Sequence, residues 1–180
     1  MTDRNDQRRP VLHSDTRSRH ILRCREGAIE KASAVLGLSL PRTACRSASG
    51  DGLDALWLGP DEWLVLATGA AAETISQAGK RLSALGGAFV DVSHRQVAIT
   101  LGGPEAELWL ASGCPLDLAI STFPIGTCAR TLFHKAEIIV WRTGPESFHL
   151  EVWRSFAPYV EALLSEAVQE EPAGSRSRRC

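Results

Sequence analysis

A chain of 180 residues, 44% of them hydrophobic, can bury one sizeable core or two small fused halves, which excludes a disordered chain. Twenty basic and 21 acidic residues leave a formal charge of -1, so the basic field that holds a nucleic-acid backbone is missing. No window approaches the roughly 18 apolar residues of a membrane span, and the opening "MTDRNDQRRPVLHSDTRSR" lacks the apolar run of a secretory signal.

That opening, residues 1–19, is expected as a disordered polar tail, and Asp3, Asp6 and Asp15 argue against a mitochondrial-type leader. A cytoplasmic protein is the simple expectation. "GAIEKASAVLG" predicts a short helix stopped by Gly37. "ALWLGPDEWLVLA" predicts a hairpin around a Gly-Pro-Asp turn. In "AAETISQAGKRLSALGG", Ile75, Ala78, Leu82 and Leu85 stand at helical spacing ahead of Gly86 and Gly87. "AFVDVSHRQVAITLGG" is strand-like, and "PEAELWLASG" predicts a helix entered at Pro104. "EIIVWRTGPESFHLEVW" predicts a second hairpin. In the last helix Phe156, Tyr159, Val160, Leu163, Leu164 and Ala167 form one apolar stripe, with Ser155 as cap. Residues 171–180 are expected as a second disordered tail.

The order strand, helix, hairpin, helix therefore occurs twice. Asp15, Arg19, Gly27, Gly37 and Leu40 lie 76 positions before Asp91, Arg95, Gly103, Gly113 and Leu116. Beyond an insertion, "DLAISTFPIGTCA" at 117–129, Gly59, Pro60 and Trp63 lie 85 positions before Gly144, Pro145 and Phe148. This register points to an ancient duplication. The expected organisation is one compact α+β unit over 20–170, made of halves at about 20–87 and 88–170, each an antiparallel sheet with helices on one face.

"DVSHR", Asp91 to Arg95, holds the three residue types of a hydrolytic triad. In a regular strand Ser93 and His94 point to opposite faces, and no G-x-S-x-G elbow presents the serine; only a local turn at Ser93 would rescue the geometry, so the structural reading outweighs the catalytic one. Asp91 and Arg95 would share a face and could form a salt bridge. No Walker or G-x-G-x-x-G loop occurs, and the histidines at 13, 20, 94, 134 and 149 lack metal spacing. Cysteines at 24, 45, 114, 128 and 180 include no CxxC pair; Cys24, Cys114 and Cys128 are expected as buried free thiols. No catalytic, cofactor-binding or metal-binding residue is assigned. Of the five tryptophans, Trp63 and Trp109 are expected in the core. Trp141 and Trp153 leave both faces of the second hairpin apolar, which suggests a partner on one of them.

The runs "WLGPDEWLVLA", "DVSHRQVAITLGGPEAELWLASGCPLDL", "FPIGTCART" and "FHLEVWRSFAPYVEALLSEA" resemble, in order and spacing, the gamma subunit family of bacterial heterotetrameric sarcosine oxidase. The likeness runs over about residues 35–170. It implies a small accessory chain, structural and not catalytic, partnered by alpha, beta and delta subunits and chiefly by the large alpha subunit. The complex would demethylate sarcosine to glycine, yielding hydrogen peroxide and formaldehyde or methylene-tetrahydrofolate. FAD, FMN, NAD and the tetrahydrofolate site would belong to the larger subunits, with no cofactor on this chain. The implied fold is similar to the folate-binding aminomethyltransferase, or T-protein, family. That family's Asp-Asp pair falls here on Ala136 and Glu137, so one acid is missing. A stand-alone folate-binding or aminomethyltransferase-like protein is the alternative.

Overall fold

The computed structural model describes residues 11–13 and 17–169. Ten strands and four α-helices occur among them: β1 Val11–His13, β2 Ser18–Arg23, α1 Ile29–Leu36, β3 Ser47–Gly50, β4 Leu53–Gly59, β5 Glu62–Ala67, α2 Gly69–Ala84, β6 Ala88–Asp91, β7 Gln96–Gly102, α3 Ala106–Ala111, β8 Cys128–Phe133, β9 Ala136–Gly144, β10 Ser147–Trp153 and α4 Ala157–Gln169. They build two five-stranded sheets, ordered β3-β4-β5-β2-β6 and β8-β9-β10-β7-β1. Every pairing is antiparallel. The edge strands are exchanged between the sheets: β1 precedes β2 in the chain yet pairs with β7, and β6 precedes β7 yet pairs with β2.

Local chemistry accounts for the element ends. Gly37 takes the left-handed conformation (φ 71°) that closes α1. Both hairpins turn at Gly-Pro and carry a bulge beside that turn, after Trp57 in the first and after Ser147 in the second. Strand alternation then sorts side chains between two faces. On the outer face of the first sheet, Leu22, Ala55, Trp63 and Val65 pack against Ile29, Ala32 and Leu36 of α1 and Ile75, Ala78 and Leu82 of α2. On the outer face of the second, Ile99, Leu101, Ile138, Val140, Phe148 and Leu150 pack against Trp109 and Leu110 of α3 and Val160 and Leu164 of α4. Full burial of each leucine, isoleucine, valine or phenylalanine among them contributes about 1.5–3 kcal/mol. The inner faces meet each other through Leu56, Leu64 and Leu66 against Cys128, Ile139 and Trp141. The molecule is a four-layer stack of helices, sheet, sheet, helices, an α+β architecture.

Several expectations are corrected. The segment expected as an N-terminal tail supplies β1 and the start of β2, because both find partners far along the chain. Residues 1–10 and 14–16, with Asp15, and 170–180, with Cys180, lie outside the described residues. A cut at 87/88 would assign β6 to the second half, whereas it completes the first sheet. "AFVDVSHRQVAITLGG" is not one strand but β6 and β7 joined by a turn. The last helix begins two residues after Ser155, and its stripe is wider than the face it buries: Ala157, Val160 and Leu164 are buried, while Phe156 and Tyr159 are exposed. Trp141 needs no external partner, since its face is covered by the other sheet.

Candidate functional site: a buried polar cluster between the sheets

Beside its apolar contact, the inter-sheet layer carries a polar group. Arg19 projects from β2 on the same face as Ile21, which packs into the inter-sheet core. His149 and Glu151 of β10 stand in register with Trp141 and Ile139, hence on the same inner face. Arg19 Nε donates to Glu151 Oε2 at 2.7 Å, with the two side chains only 1% and 0% exposed. His149 Nε2 lies 2.8 Å from Glu151 Oε1, and its ring meets Trp141 edge to face. Burial alone would raise the Glu151 carboxyl, but the hydrogen bonds and charges of His149 and Arg19 outweigh it and hold the group below the usual carboxylate range. Both carboxylate oxygens are thus committed, one to each cationic or polar partner. Such an acid is shut off from solvent and its partners are internal; it clamps one half to the other across 132 residues of chain.

The "DVSHR" turn sits against this clamp. Asp91 Oδ1 accepts from the Ser93 backbone N–H at 2.8 Å and from the Ser93 hydroxyl at 2.6 Å. This aspartate turn competes with the strand and breaks it. The Ser93 oxygen in return accepts the Arg19 backbone N–H at 2.9 Å. The bonds from Ser93 hold Asp91 below its ordinary pKa, which makes it a weaker base and leaves the serine hydroxyl unactivated. The expected Asp91–Arg95 pair does not form. Arg95 lies over the Trp153 ring, 5.5 Å from its centroid, and its carbonyl accepts the Arg154 N–H at 2.9 Å. The five residues are a splice between halves, not a triad.

A second buried arginine fixes the insertion at 117–129. Arg142 donates to Glu107 of α3 at 2.8 Å and to the Leu118 and Pro145 carbonyls, with its guanidinium over Phe148. At the far end Gly126 O accepts both the N–H and hydroxyl of Ser47, at 2.8 and 2.9 Å, and Arg46 donates to Thr127 Oγ1. The insertion is therefore a strap from the second sheet to the segment leading into β3. Cys128 at its end is buried and loses solvation, which pushes its thiol up to about 12, so it stays protonated. Cys24 and Cys114 are buried free thiols as expected. Trp63 and Trp109 lie in the cores, the former donating from Nε1 to Pro41 O at 2.8 Å.

Ala136 is fully buried at the start of β9, and Glu137 beside it is exposed, opposite exposed Leu132. Among the described residues, no group of three or more His, Cys, Asp or Glu side chains is placed to hold a metal, and no helix is long and apolar enough to cross a membrane. Sequence reasoning missed the Arg19–His149–Glu151 cluster. The signal present was the polar pair at alternate positions of "SFHLEVW", which reads equally well as a solvent face.

A model of the sarcosine oxidase, gamma subunit family matches residues 26–170. Sarcosine oxidase subunit gamma from an Arthrobacter species is 32% identical over 142 residues, covering 77% of this chain and 68% of that protein. The protein of the same name from Corynebacterium sp. (strain P-1) is 30% identical over 148 residues, covering 80% and 71%. Among solved structures, a chain of heterotetrameric sarcosine oxidase from Corynebacterium sp. U-96, in complex with pyrrole 2-carboxylate, superposes with a TM-score of 0.77 at 29% identity, over 91% of this chain and 86% of that one. Aminomethyltransferase T of the glycine cleavage system from Bartonella henselae superposes at 0.60 and 13% identity, over 89% and 47%, a likeness of fold alone.

Proposed function

Since the chain belongs to the sarcosine oxidase gamma subunit family, we propose that it serves as the small, non-catalytic subunit of a heterotetrameric sarcosine oxidase. Its partners in this reading are the alpha, beta and delta subunits, the large alpha subunit above all. The observation that carries the non-catalytic role is the internal use of its polar groups. Glu151 is fully buried and bonded through both oxygens, to Arg19 and to His149, and the Ser93 hydroxyl donates to Asp91.

The residues of this chain do not fit a folate site. Where the similar family has its acid pair, Ala136 is packed into the helix-side core and Glu137 points to solvent. We assign FAD, FMN, NAD and tetrahydrofolate to the larger subunits, which carry out the oxidative demethylation of sarcosine. The reading also takes the described residues, β1 included, as one unit of two halves related by duplication, supported by the matched strand order of the two sheets. A cytoplasmic place for the complex is part of it, supported by free Cys24, Cys45, Cys114 and Cys128.

The test is co-expression of this chain with the three other subunits. The expected result is a yellow four-subunit complex that oxidises sarcosine, and an isolated chain that purifies colourless and inactive. Near-stoichiometric flavin or folate on the isolated chain would overturn the assignment.

A further inference from the structure

Trp153, Phe156 and Tyr159 stand 42%, 43% and 39% exposed at the junction of β10 and α4. The Phe156 N–H donates to the Trp153 carbonyl at 2.8 Å, so the first two leave one turn, and Phe156 and Tyr159 follow at the i, i+3 spacing of one helix face. The first half holds an internal control. The junction of β5 and α2 has the same place in the other sheet, and its matching residues are Thr68, Ala71 and Thr74. This fold therefore closes the same corner without any aromatic ring. Three exposed aromatics at one corner of one half contribute little to folding, and aromatic residues are the type enriched where proteins meet.

Charge fixes the chemistry of the occupant. Arg154 is exposed beside Trp153, and Arg95 lies against the Trp153 ring. Neither makes an ion pair among the described residues, a lack shared with Arg25, Arg46 and Arg81, whereas the arginines at 17, 19, 23, 42, 130 and 142 each face a carboxylate. The Arg95 Nε is buried without a hydrogen-bond acceptor. An aromatic centre beside two cations lacking carboxylates is complementary to an apolar surface carrying acidic residues.

We propose that the Trp153–Phe156–Tyr159 corner, with Arg95 and Arg154, is the docking surface for another subunit of the oxidase, which meets it with an apolar centre and acidic side chains. The inference rests on the subunit reading above and names the surface that serves it. The experiment exchanges the corner for its first-half counterpart, Trp153→Thr, Phe156→Ala and Tyr159→Thr together, in the co-expressed four-subunit complex. A second variant, Arg154→Glu, tests the charge, and Leu132→Thr removes an exposed apolar residue elsewhere. The triple variant and Arg154→Glu are expected to lower recovery of this chain with the other subunits at least tenfold, with Leu132→Thr unchanged. Hydrogen exchange on the unmodified complex reads the surface without mutation: amides of 153–161 gain protection on assembly. Normal assembly of a folded triple variant overturns the inference, as does absence of that protection, which also decides the matter if the triple variant does not fold. Failure of the unmodified chain to assemble would instead sink the subunit reading itself.

Discussion

Arg19→Met removes one partner of the clamp while keeping a long apolar stem in the same space. The loss follows from geometry. Glu151 is fully buried and loses its 2.7 Å bond to Nε, keeping only His149. Removing one member of a buried pair typically costs about 3–5 kcal/mol, because the remaining charge has neither water nor its guanidinium partner. Against a total of about 5–15 kcal/mol that is a large fraction. At a urea slope of about 2 kcal/mol per molar, the midpoint should fall by about 1.5–2.5 M. Glu151→Gln should cost less, and the double variant should cost less than the two singles combined, by about 0.5–3 kcal/mol of coupling. The pH dependence has a definite sign. The Glu151 carboxyl is held below its ordinary value, so its contribution is present above the usual carboxylate pKa and lost as pH falls through the depressed one. The gap between parent and Arg19→Met should therefore narrow as the pH falls toward and below about 4. A midpoint unchanged by Arg19→Met, or a gap indifferent to acid, would refute the clamp.

In the last helix, Leu164→Ala should cost about 2–5 kcal/mol, and partly buried Leu163→Ala distinctly less, read as melting temperatures. Ser93→Ala should cost about 1–2 kcal/mol through the lost Asp91 and Arg19 bonds while leaving turnover per assembled complex within a few-fold of the parent. Alkylation at pH 8 followed by peptide mapping should modify exposed Cys45 and spare Cys128, whose thiol lies near 12; early labelling of Cys128 would mean that the strap opens.

What could be read without coordinates was what neighbours in sequence decide. Gly37, the two Gly-Pro turns and the spacing of Ile75, Ala78 and Leu82 place helices and hairpins because each acts within a few residues. The four quoted motifs likewise carried the family. Alternation showed that β9 and β10 have two apolar faces but not what covers the second, since Leu56, Leu64 and Leu66 lie some eighty residues earlier. "DVSHR" misled because β propensity on both sides hid a side-chain bond from Asp91 to the Ser93 amide, which outcompetes the ladder locally. Phe156 and Tyr159 fit the helical period as well as Val160 and Leu164 do; only the packed neighbour distinguishes the flank from the core.

The traded edge strands bear on how such a molecule is made. Cut the chain between the sheets and each fragment keeps a strand that belongs to the other, while its own sheet ends on an unpaired ladder. Two identical copies of one half could satisfy both edges only by reciprocal exchange, as in a swapped dimer. Joining two such copies end to end turns that exchange into an intramolecular one. The partner strand is then always present at fixed stoichiometry, at the expense of a closure spanning nearly half of the polypeptide, from Leu12 to Ile99. Synthesis must therefore reach β6, Ala88–Asp91, before the first sheet is complete, and β10, Ser147–Trp153, before the second is. A ribosome-bound chain ending near residue 87 should still be open at both seams.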